Sequence, residues 1–398
     1  MTLTIAARPG LLLILVLLAG CQIMPYRPQR APEPAVVAPA TREPLATHTF
    51  KLDDTTGNVV GELQVTKAQA EDTLPDIARR FNLGYEEIVR ANPGVDPWLP
   101  GDGTEIVLPT QFVLPDAPRK GLVINLAALR VYYFPPHKDG EPQQVITHPI
   151  GIGKVGWSTP EGVTKVTSKR KDPVWTPPLS VRKEHKENGD PLPARVPPGP
   201  DNPLGAYMMT LGWPSYLVHG TNKPYGVGMR SSHGCIRLYP EDIALLFNDI
   251  PIGTEVRVVN QPLVYGWHGD NLYVQVFPAL EDDSGKKPAA GPAPLNDAIS
   301  DHMAQQATQH NAVLDLDLVN ALASERRGVS VPVSKSGTTT ATVILASRRV
   351  ENRIPTGATW NGEEGLLVSA ETYEATRTGT SAAKPKAAKK APAATSGT

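Results

Sequence analysis

Cysteine and phenylalanine are scarce in this chain, which has two cysteines and six phenylalanines among 398 residues, against 41 prolines. Two cysteines form one disulfide at most. Many prolines with few large aromatic residues favour compact cores joined by long extended connections, with stretches that bury too little apolar area to fold. The length allows two modest domains and tails.

Strong charge and a membrane-spanning apolar run are also missing. The net charge is −1, so no overall field draws the chain to nucleic acid, and we predict no nucleic-acid partner. The apolar run from Leu11 to Leu18 follows Arg8 and is too short to cross a bilayer, which takes about 20 residues. This pattern favours a cleaved export signal.

The end of this run and the residues after it, Leu18-Ala19-Gly20-Cys21, resemble a bacterial lipobox. The resemblance implies that residues 1–20 are a signal peptide and that Cys21 carries a lipid anchor in a membrane. Gln22 in place of aspartate implies, by the same analogy, the periplasm and the outer membrane of a Gram-negative bacterium. The proline-rich residues 21–47 predict a semi-rigid tether. A lipid on Cys21 leaves Cys235 as a lone thiol, which needs an explanation of its own.

Residues 48–115 contain a strand–helix–helix–strand pattern. Leu63 and Val65 alternate as in a strand, two helically spaced segments follow, and residues 104–108 restore a strand. With Asp72-Thr73-Leu74 and Asn92-Pro93, the pattern resembles a small βααβ LysM module, a family that binds the glycan of peptidoglycan or chitin. Glu71 stands where the family has glycine, so the first loop departs from the pattern. The alternative is a small packing domain that spaces the next region from the tether.

Residues 116–260 contain seven short strand-like runs separated by glycine and proline, which favours a β-sandwich or barrel over a parallel α/β sheet. One helix is predicted from Pro240 through Phe247, ending before Pro251. The strand-like runs are 121–125, 130–134, 145–150, 162–168, 207–211, 216–219 and 255–259.

Cys235 lies in this region, after Ser232, His233 and Gly234. A thiol attacks well when a neighbour takes its proton or stabilises the thiolate, and both His219 and His233 are candidates for that neighbour. On a strand, residues 233, 235 and 237 would share one face, whereas His219 reaches Cys235 only if its own strand lies close. Gly234 leaves backbone N–H groups free to stabilise an oxyanion. Spacing alone does not decide which histidine is the base.

The region from Lys120 to Val259 resembles the catalytic domain of the YkuD-type L,D-transpeptidases, in the branch of lipoprotein-attaching and cross-linking enzymes of Gram-negative bacteria. The resemblance implies a mainly β fold, a β-sandwich or barrel-like catalytic domain over 116–260, and no cofactor or metal. It rests on five motifs: Thr159–Gly162, Trp175–Pro178, Gly199–Gly205, His219–Asn222 and Ser232–Arg237.

The resemblance also implies roles for individual residues. Cys235 is the nucleophile, His219 is the general base, oriented by a backbone oxygen, and His233 supports them. The implied oxyanion and substrate-binding residues are Gly234, Arg237, Gly220 and Ser232.

The implied substrate is peptidoglycan. Cys235 attacks the carbonyl of the diaminopimelate in a tetrapeptide stem, releases D-Ala and forms a thioester, which passes to an amine of another stem or of an envelope-lipoprotein lysine. The same site would be a hydrolase, trimming stems or detaching lipoprotein, if water replaced the amine. The sequence leaves this alternative open.

A metal site and a serine nucleophile are two alternatives to a cysteine enzyme, and the motifs support both less well. A metal site of His219, His233 and Cys235 lacks a second cysteine or a carboxylate nearby in sequence. The pattern S-x-x-K of serine enzymes occurs at Ser168, Ser180 and Ser381, in strand, loop and tail contexts, whereas the catalytic pattern opens a buried helix.

The segment 172–205 is too long for a hairpin loop, and the family has a capping loop at this place. Trp175 in it either packs on substrate or pins the loop to the core. Beyond the catalytic region we predict a docked hairpin over 261–284 and a partly helical, then disordered extension over 285–398. The extension contains helical spacing over 295–325, strand-like runs at Thr339–Leu345 and Gly365–Val368, and a Lys/Ala/Pro tail from Ser381.

Overall fold

A computed structural model describes residues 44–45, 47–52, 57–138, 140–280 and 297–354. The predicted signal peptide, Cys21, nearly all of the tether, the strand at Gly365–Val368 and the tail from Ser381 lie outside these residues. In the described part of the chain, no helix is both long and apolar enough to cross a membrane.

The described residues are mainly β, as predicted. The helices are α1 Leu74–Arg80, α2 Tyr85–Ala91, α3 Leu179–Glu187, α4 Pro240–Asp249, α5 Asp297–Gln309, α6 Leu316–Glu325 and α7 Thr340–Ala346. The strands are β1 Thr49–Leu52, β2 Val59–Gly61, β3 Gln64–Lys67, β4 Glu105–Leu108, β5 Gln111–Val113, β6 Gly121–Asn125, β7 Arg130–Phe134, β8 Gln143–Pro149, β9 Ile152–Gly153, β10 Gly162–Lys171, β11 Tyr207–Leu211, β12 Leu217–His219, β13 Arg230–Ser232, β14 Ile236–Arg237, β15 Glu255–Val259, β16 Leu263–His268, β17 Asn271–Val276, β18 Val331–Pro332 and β19 Arg348–Arg349.

A nine-stranded sheet contains all seven strands predicted between residues 121 and 259. Its order is β1-β8-β7-β6-β15-β10-β11-β12-β14. The pairs β6–β15 and β12–β14 are parallel and the other pairs are antiparallel. The predicted helix is α4, whose Ile243 and Leu246 are buried against this sheet. In the last pair, β12 ends at the candidate base His219, and β14 begins directly after Cys235.

The predicted strand–helix–helix–strand pattern is present as β3, α1, α2 and β4. Thr73 caps α1, because its Oγ1 accepts from the Asp76 N–H and the Asp76 carboxylate bonds back to Thr73. This part shares a buried cluster with the sheet, in which Leu74 joins Val123 and Tyr132. A buried ion pair, Arg130 Nε to Glu87 Oε1 at 2.7 Å, also links the two parts.

The predicted hairpin is β16–β17, which β18 extends to a three-stranded sheet. The helical spacing over 295–325 is confirmed by α5 and α6. The strand predicted at Thr339–Leu345 was wrong, since these residues form α7. A short apolar run does not distinguish strand from helix, and here Thr339 decides, because its side chain accepts from the Thr342 N–H and caps a helix.

Candidate active site

The ends of two parallel strands bring His219 and the segment of Cys235 together. In the β12–β14 register, Val218 lies opposite Ile236 and His219 lies opposite Arg237. Val218 and Ile236 are buried in the core. Because side chains alternate along a strand, His219 and Arg237 share the face that points away from that core. The Arg237 cation acts on both the His219 ring and the Cys235 thiol, so all three groups are neighbours.

The arrangement that the sequence considered, with His233, Cys235 and Arg237 on one face of a strand, is not present. β13 ends at Ser232 and β14 begins at Ile236, so the chain turns between them. Gly234 has a φ of +98°, a conformation that other residues rarely adopt. A Cβ on this residue would lie 2.9 Å from Tyr216 Cε1. We call residues 232–235 the nucleophile turn.

Two buried hydroxyls hold the nucleophile turn. Ser232 Oγ donates to the backbone oxygen of Cys235 at 2.6 Å. Thr159 Oγ1 donates to the backbone oxygen of Gly234 at 2.8 Å and accepts from the Gly153 N–H at 3.2 Å. The peptide groups before and after Cys235 are therefore both held by side-chain hydrogen bonds.

His219 is buried and its tautomer is set by the backbone. Its Nδ1 lies 2.6 Å from the Gly220 carbonyl oxygen, which can only accept, so Nδ1 carries the hydrogen. Burial, helped by the Arg237 cation and opposed by the Gly220 hydrogen bond, lowers the pKa of His219 to about 3. At neutral pH the ring is uncharged and its Nε2 has a free lone pair, which is the state a general base needs.

Cys235 is partly exposed, and its thiol lies 3.6 Å from the Ser215 carbonyl oxygen. Burial raises the pKa of the Cys235 thiol, although a backbone hydrogen bond from Leu217 and the Arg237 cation oppose the rise. With His219 uncharged, the resting pair is a neutral thiol and a neutral imidazole. Attack by sulfur therefore requires transfer of the thiol proton.

His233 points toward α3 rather than toward the strand pair. Its Nε2 lies 2.9 Å from Glu184 Oε2, and its ring contacts the Trp157 ring edge to face at 4.8 Å. Burial lowers the pKa of His233, while the hydrogen bond to Glu184 opposes the decrease. The two histidines that the sequence left as alternative bases thus have different surroundings.

Sequence comparison gives a family for the region that contains this geometry. The family model for the YkuD L,D-transpeptidase catalytic domain matches residues 119–258. The chain is 38% identical over 298 residues to the probable L,D-transpeptidase YcfS of Escherichia coli, covering 73% of this chain and 90% of that protein. The chain belongs to the YkuD family of L,D-transpeptidases.

Two more relatives of this L,D-transpeptidase extend the comparison. The probable L,D-transpeptidase YbiS of Escherichia coli is 42% identical over 236 residues, covering 58% of this chain and 76% of that protein. The NMR structure of the catalytic domain from E. faecium L,D-transpeptidase is 25% identical, covers 36% of this chain and 100% of that chain, and has a TM-score of 0.26, which is too low to support an argument. The family model, YcfS and YbiS confirm the predicted activity, peptidoglycan cross-linking by an L,D-transpeptidase.

In this transpeptidase, the remaining predicted site residues lie around the strand pair. The Gly220 N–H is used in the sheet, where it donates to the Tyr207 carbonyl oxygen at 3.1 Å. The group that Gly220 contributes to the site is therefore its carbonyl oxygen, which contacts His219 Nδ1. Arg237 Nη1 lies 3.3 Å from Ser231 Oγ, and its buried Nε has no partner among the described residues. The Ser232 hydroxyl points into the nucleophile turn, where it donates to the Cys235 backbone oxygen.

The metal and serine readings find little support in the same region. Among the described residues, no group of three histidine, cysteine or acidic side chains is placed to hold a metal ion. Ser180 lies on α3, where we predicted a loop, but it is exposed and does not open a buried helix. Ser168 is exposed on β10.

Residues that sequence reasoning missed include Thr159, Lys154 and Glu184. Thr159 stood in a quoted motif without a role, and its contact to Gly234 spans 75 residues. Glu184 lies in a segment predicted as a loop, and no local signal connects it with His233. Contacts of this kind become visible only when the fold brings distant segments together.

Proposed function

We propose that Cys235 and His219 carry out the transpeptidation as nucleophile and general base. His219 Nε2 takes the thiol proton while the sulfur attacks the carbonyl carbon of the diaminopimelate residue. The tetrahedral intermediate collapses to a thioester, and the leaving D-Ala amine takes the proton back from His219. The observation that carries the proposal is the bond from His219 Nδ1 to the Gly220 oxygen, which leaves Nε2 as an acceptor.

In the second half of the reaction, an amine attacks the thioester. His219 takes a proton from the attacking amine and returns it to the sulfur, so the thiol is regenerated and the acyl group ends in a new amide. The acceptor is an amine of another peptide stem or of an envelope-lipoprotein lysine. Thioesters react readily with amines, so this transfer needs no further activation.

Charge in the intermediate has two sources of stabilisation in this proposal. The N–H groups of Gly234 and Cys235 surround the position of the oxyanion, which the positive φ of Gly234 makes possible. Arg237 binds a substrate carboxylate, since its cation lies on the same face as His219 and its Nε lacks a partner in the described structure. Ser232 and Gly220 shape the site, and His233 positions the turn.

The test is incubation of the enzyme without its signal segment with tetrapeptide muropeptides, followed by mass spectrometry. We expect loss of D-Ala together with cross-linked or amine-exchanged product, all dependent on Cys235. Products ending as tripeptide alone would favour the hydrolase instead. Product formation by Cys235→Ala would contradict the proposal.

We also propose that the module β3-α1-α2-β4 is LysM-like and binds glycan. An aromatic pair on its surface supports this, since Trp98 is 56% exposed and lies 6.3 Å from the Tyr85 ring. Exposed aromatic faces suit the apolar faces of sugar rings. In a sedimentation assay with purified cell wall, Trp98→Ala should weaken binding, while Ile252→Ala, another exposed apolar residue, should not.

Anchoring by Cys21 completes the proposal. A lipidated Cys21 and the proline-rich tether would place the enzyme in the periplasm, at the outer membrane, within reach of the wall. Cys21→Ala should move the protein from the membrane fraction to the soluble fraction. An unchanged distribution would exclude the lipid anchor.

A further inference from the structure

One carboxylate connects α3 with the nucleophile turn. Glu184 Oε2 lies 2.9 Å from His233 Nε2, and Glu184 Oε1 accepts a hydrogen bond from Lys154 Nζ. Glu184 thereby joins three segments that are far apart in sequence: α3, the loop after β9 and the nucleophile turn.

The loop after β9 is itself fixed to the turn. The Lys154 N–H donates to the Ser232 oxygen at 2.9 Å, and the Trp157 N–H donates to the Lys154 oxygen at 2.9 Å. The Trp157 ring then contacts the His233 ring. Glu184 thus contacts a group of residues, Lys154, Trp157 and His233, whose positions are already fixed by their contacts with each other and with Ser232.

The insert, residues 172–205, is folded mainly on itself. Trp175 and Val196 exchange both backbone hydrogen bonds, at 2.9 and 2.8 Å, and Asn202 Nδ2 donates to the Pro173 oxygen at 2.7 Å. Asn222 Nδ2 ties the far end of the insert to the core, through the Asp201 oxygen at 3.2 Å. These bonds fix the shape and the ends of the insert, but they do not place α3 against the nucleophile turn.

Within α3, Val181 is the buried residue, and Glu184 has a side chain that is 28% exposed. Glu187, one turn later, is a useful contrast: its side chain is 65% exposed and pairs at 3.9 Å with Lys183 of the same helix. The two acids share a helix, but Glu184 alone of this pair reaches the active site.

We propose that Glu184 is a positioning residue that fixes the ring of His233 and holds α3 closed against the nucleophile turn, so that the thioester is passed to an amine rather than to water. The effect on products rests on the proposed role of Cys235, whereas the closure itself does not. Water exclusion matters here because the same thioester gives a tripeptide if water attacks it.

The charges around His233 determine the direction in which each substitution should shift the pKa of His233. Burial lowers the pKa of His233, Glu184 raises it, and Lys154 and His185 lower it further. His185, whose ring lies 6.0 Å from that of His233, is paired with Asp190 at 3.3 Å. The bond to Lys154 is the main cause that lowers the pKa of Glu184, so Glu184 is ionised at neutral pH.

The experiment compares Glu184→Gln and Lys154→Met with the control Glu187→Gln, all in the full chain. The first readout is the pH titration of the His233 ring by NMR with labelled histidine, assigned with a His233→Gln sample. Glu184→Gln should lower the pKa of His233 and Lys154→Met should raise it, because the two variants remove charges of opposite sign. Equal shifts in one direction would contradict the proposal, since loosening alone would then explain them.

The second readout is amide hydrogen exchange over residues 179–187, which should become faster in both bridge variants and stay unchanged in Glu187→Gln. The third is the product ratio: the tripeptide fraction should rise by about threefold or more in Glu184→Gln, with kcat affected more than KM. An unchanged ratio with unchanged exchange would overturn the proposal. If the unmodified enzyme transfers no acyl group, the proposed function fails, while titration and exchange still decide the closure.

Discussion

The two histidines near Cys235 differ in what holds them. His219 lies at the end of a core strand, is buried, and is oriented by the carbonyl oxygen of the next residue. His233 lies in a turn at the edge of the site, is partly exposed, and is held by a carboxylate from a helix 49 residues away in sequence. One is fixed by its own strand, the other by a separate segment.

This difference suggests a division of labour. A general base must start each cycle unprotonated and correctly oriented, and the buried His219, which we propose as the base, is held neutral and oriented by its own strand and the Gly220 oxygen. A residue that links the turn to the insert must respond to the insert, and His233 is placed for that. The predictions below test this division from the largest expected effect to the smallest.

Replacing each histidine with glutamine should separate the two roles. We expect His219→Gln to lower kcat by about 10³-fold, in the range for loss of a general base, and His233→Gln to lower it by about tenfold. Steady-state kinetics on a tetrapeptide substrate measure both. Equal losses, or a larger loss in His233→Gln, would reverse the assignment.

The nucleophile turn should tolerate no side chain at residue 234. Gly234→Ala requires a positive φ and a Cβ 2.9 Å from the Tyr216 ring, so we expect kcat to fall by about 10²-fold through a displaced thiol. Gly253→Ala is the matched control, because Gly253 also has a positive φ, of +94°, but an open space around it. Full activity of Gly234→Ala would show that the turn does not position the sulfur.

Acid should destabilise the fold through His219 more than through His233. Both folded and unfolded His219 are neutral above pH 6.5, so its contribution to stability is complete there. Below this pH the unfolded chain binds a proton that folded His219 accepts only near its pKa of about 3. The free energy of unfolding should therefore fall by up to about 1.4 kcal/mol per pH unit between these values.

Urea unfolding at a series of pH values measures this slope. His219→Gln should flatten it, and His233→Gln should flatten it less, since burial also lowers the pKa of His233 but Glu184 opposes the decrease. A slope that His219→Gln leaves unchanged would mean that His219 is not held neutral in the fold.

The thiol should be protonated at rest. Because burial raises the pKa of Cys235, alkylation by iodoacetamide should accelerate with an inflection above the ordinary thiol value of about 8.5. Mass spectrometry of the Cys235 peptide after timed quenching gives the rate at each pH. An inflection near pH 6 would instead indicate a preformed thiolate paired with an imidazolium.

The sequence predicted the strands of the catalytic sheet well, because most of the short runs are apolar or β-branched and lie close to a glycine or proline. It could not predict the break at residues 233–235. A Ser-His-Gly-Cys stretch reads as an alternating strand, and the hydroxyl of Thr159 that holds the turn comes from 75 residues away. Local periodicity carries no information about such a contact.

The limits of local sequence patterns also explain why the helices α3 and α7 were not predicted. Helix α3 is rich in charged residues and has one buried residue, Val181, so its sequence lacks the apolar stripe that predicts a helix. In α7 the β-branched residues favoured a strand, and the cap at Thr339 decided for a helix. Cys235 and its two candidate histidines were found from residue chemistry, but the choice between them depended on the family resemblance.

The most direct test of the division between His219 and His233 is the site of acylation during turnover. The enzyme, His219→Gln and His233→Gln are each mixed with a tetrapeptide stem, quenched in acid, digested and mapped by mass spectrometry. We predict a stem thioester on Cys235 in the enzyme, a slower appearance of the same thioester in His233→Gln, and almost none in His219→Gln. An adduct on a serine, or normal acylation in His219→Gln with none in His233→Gln, would contradict it.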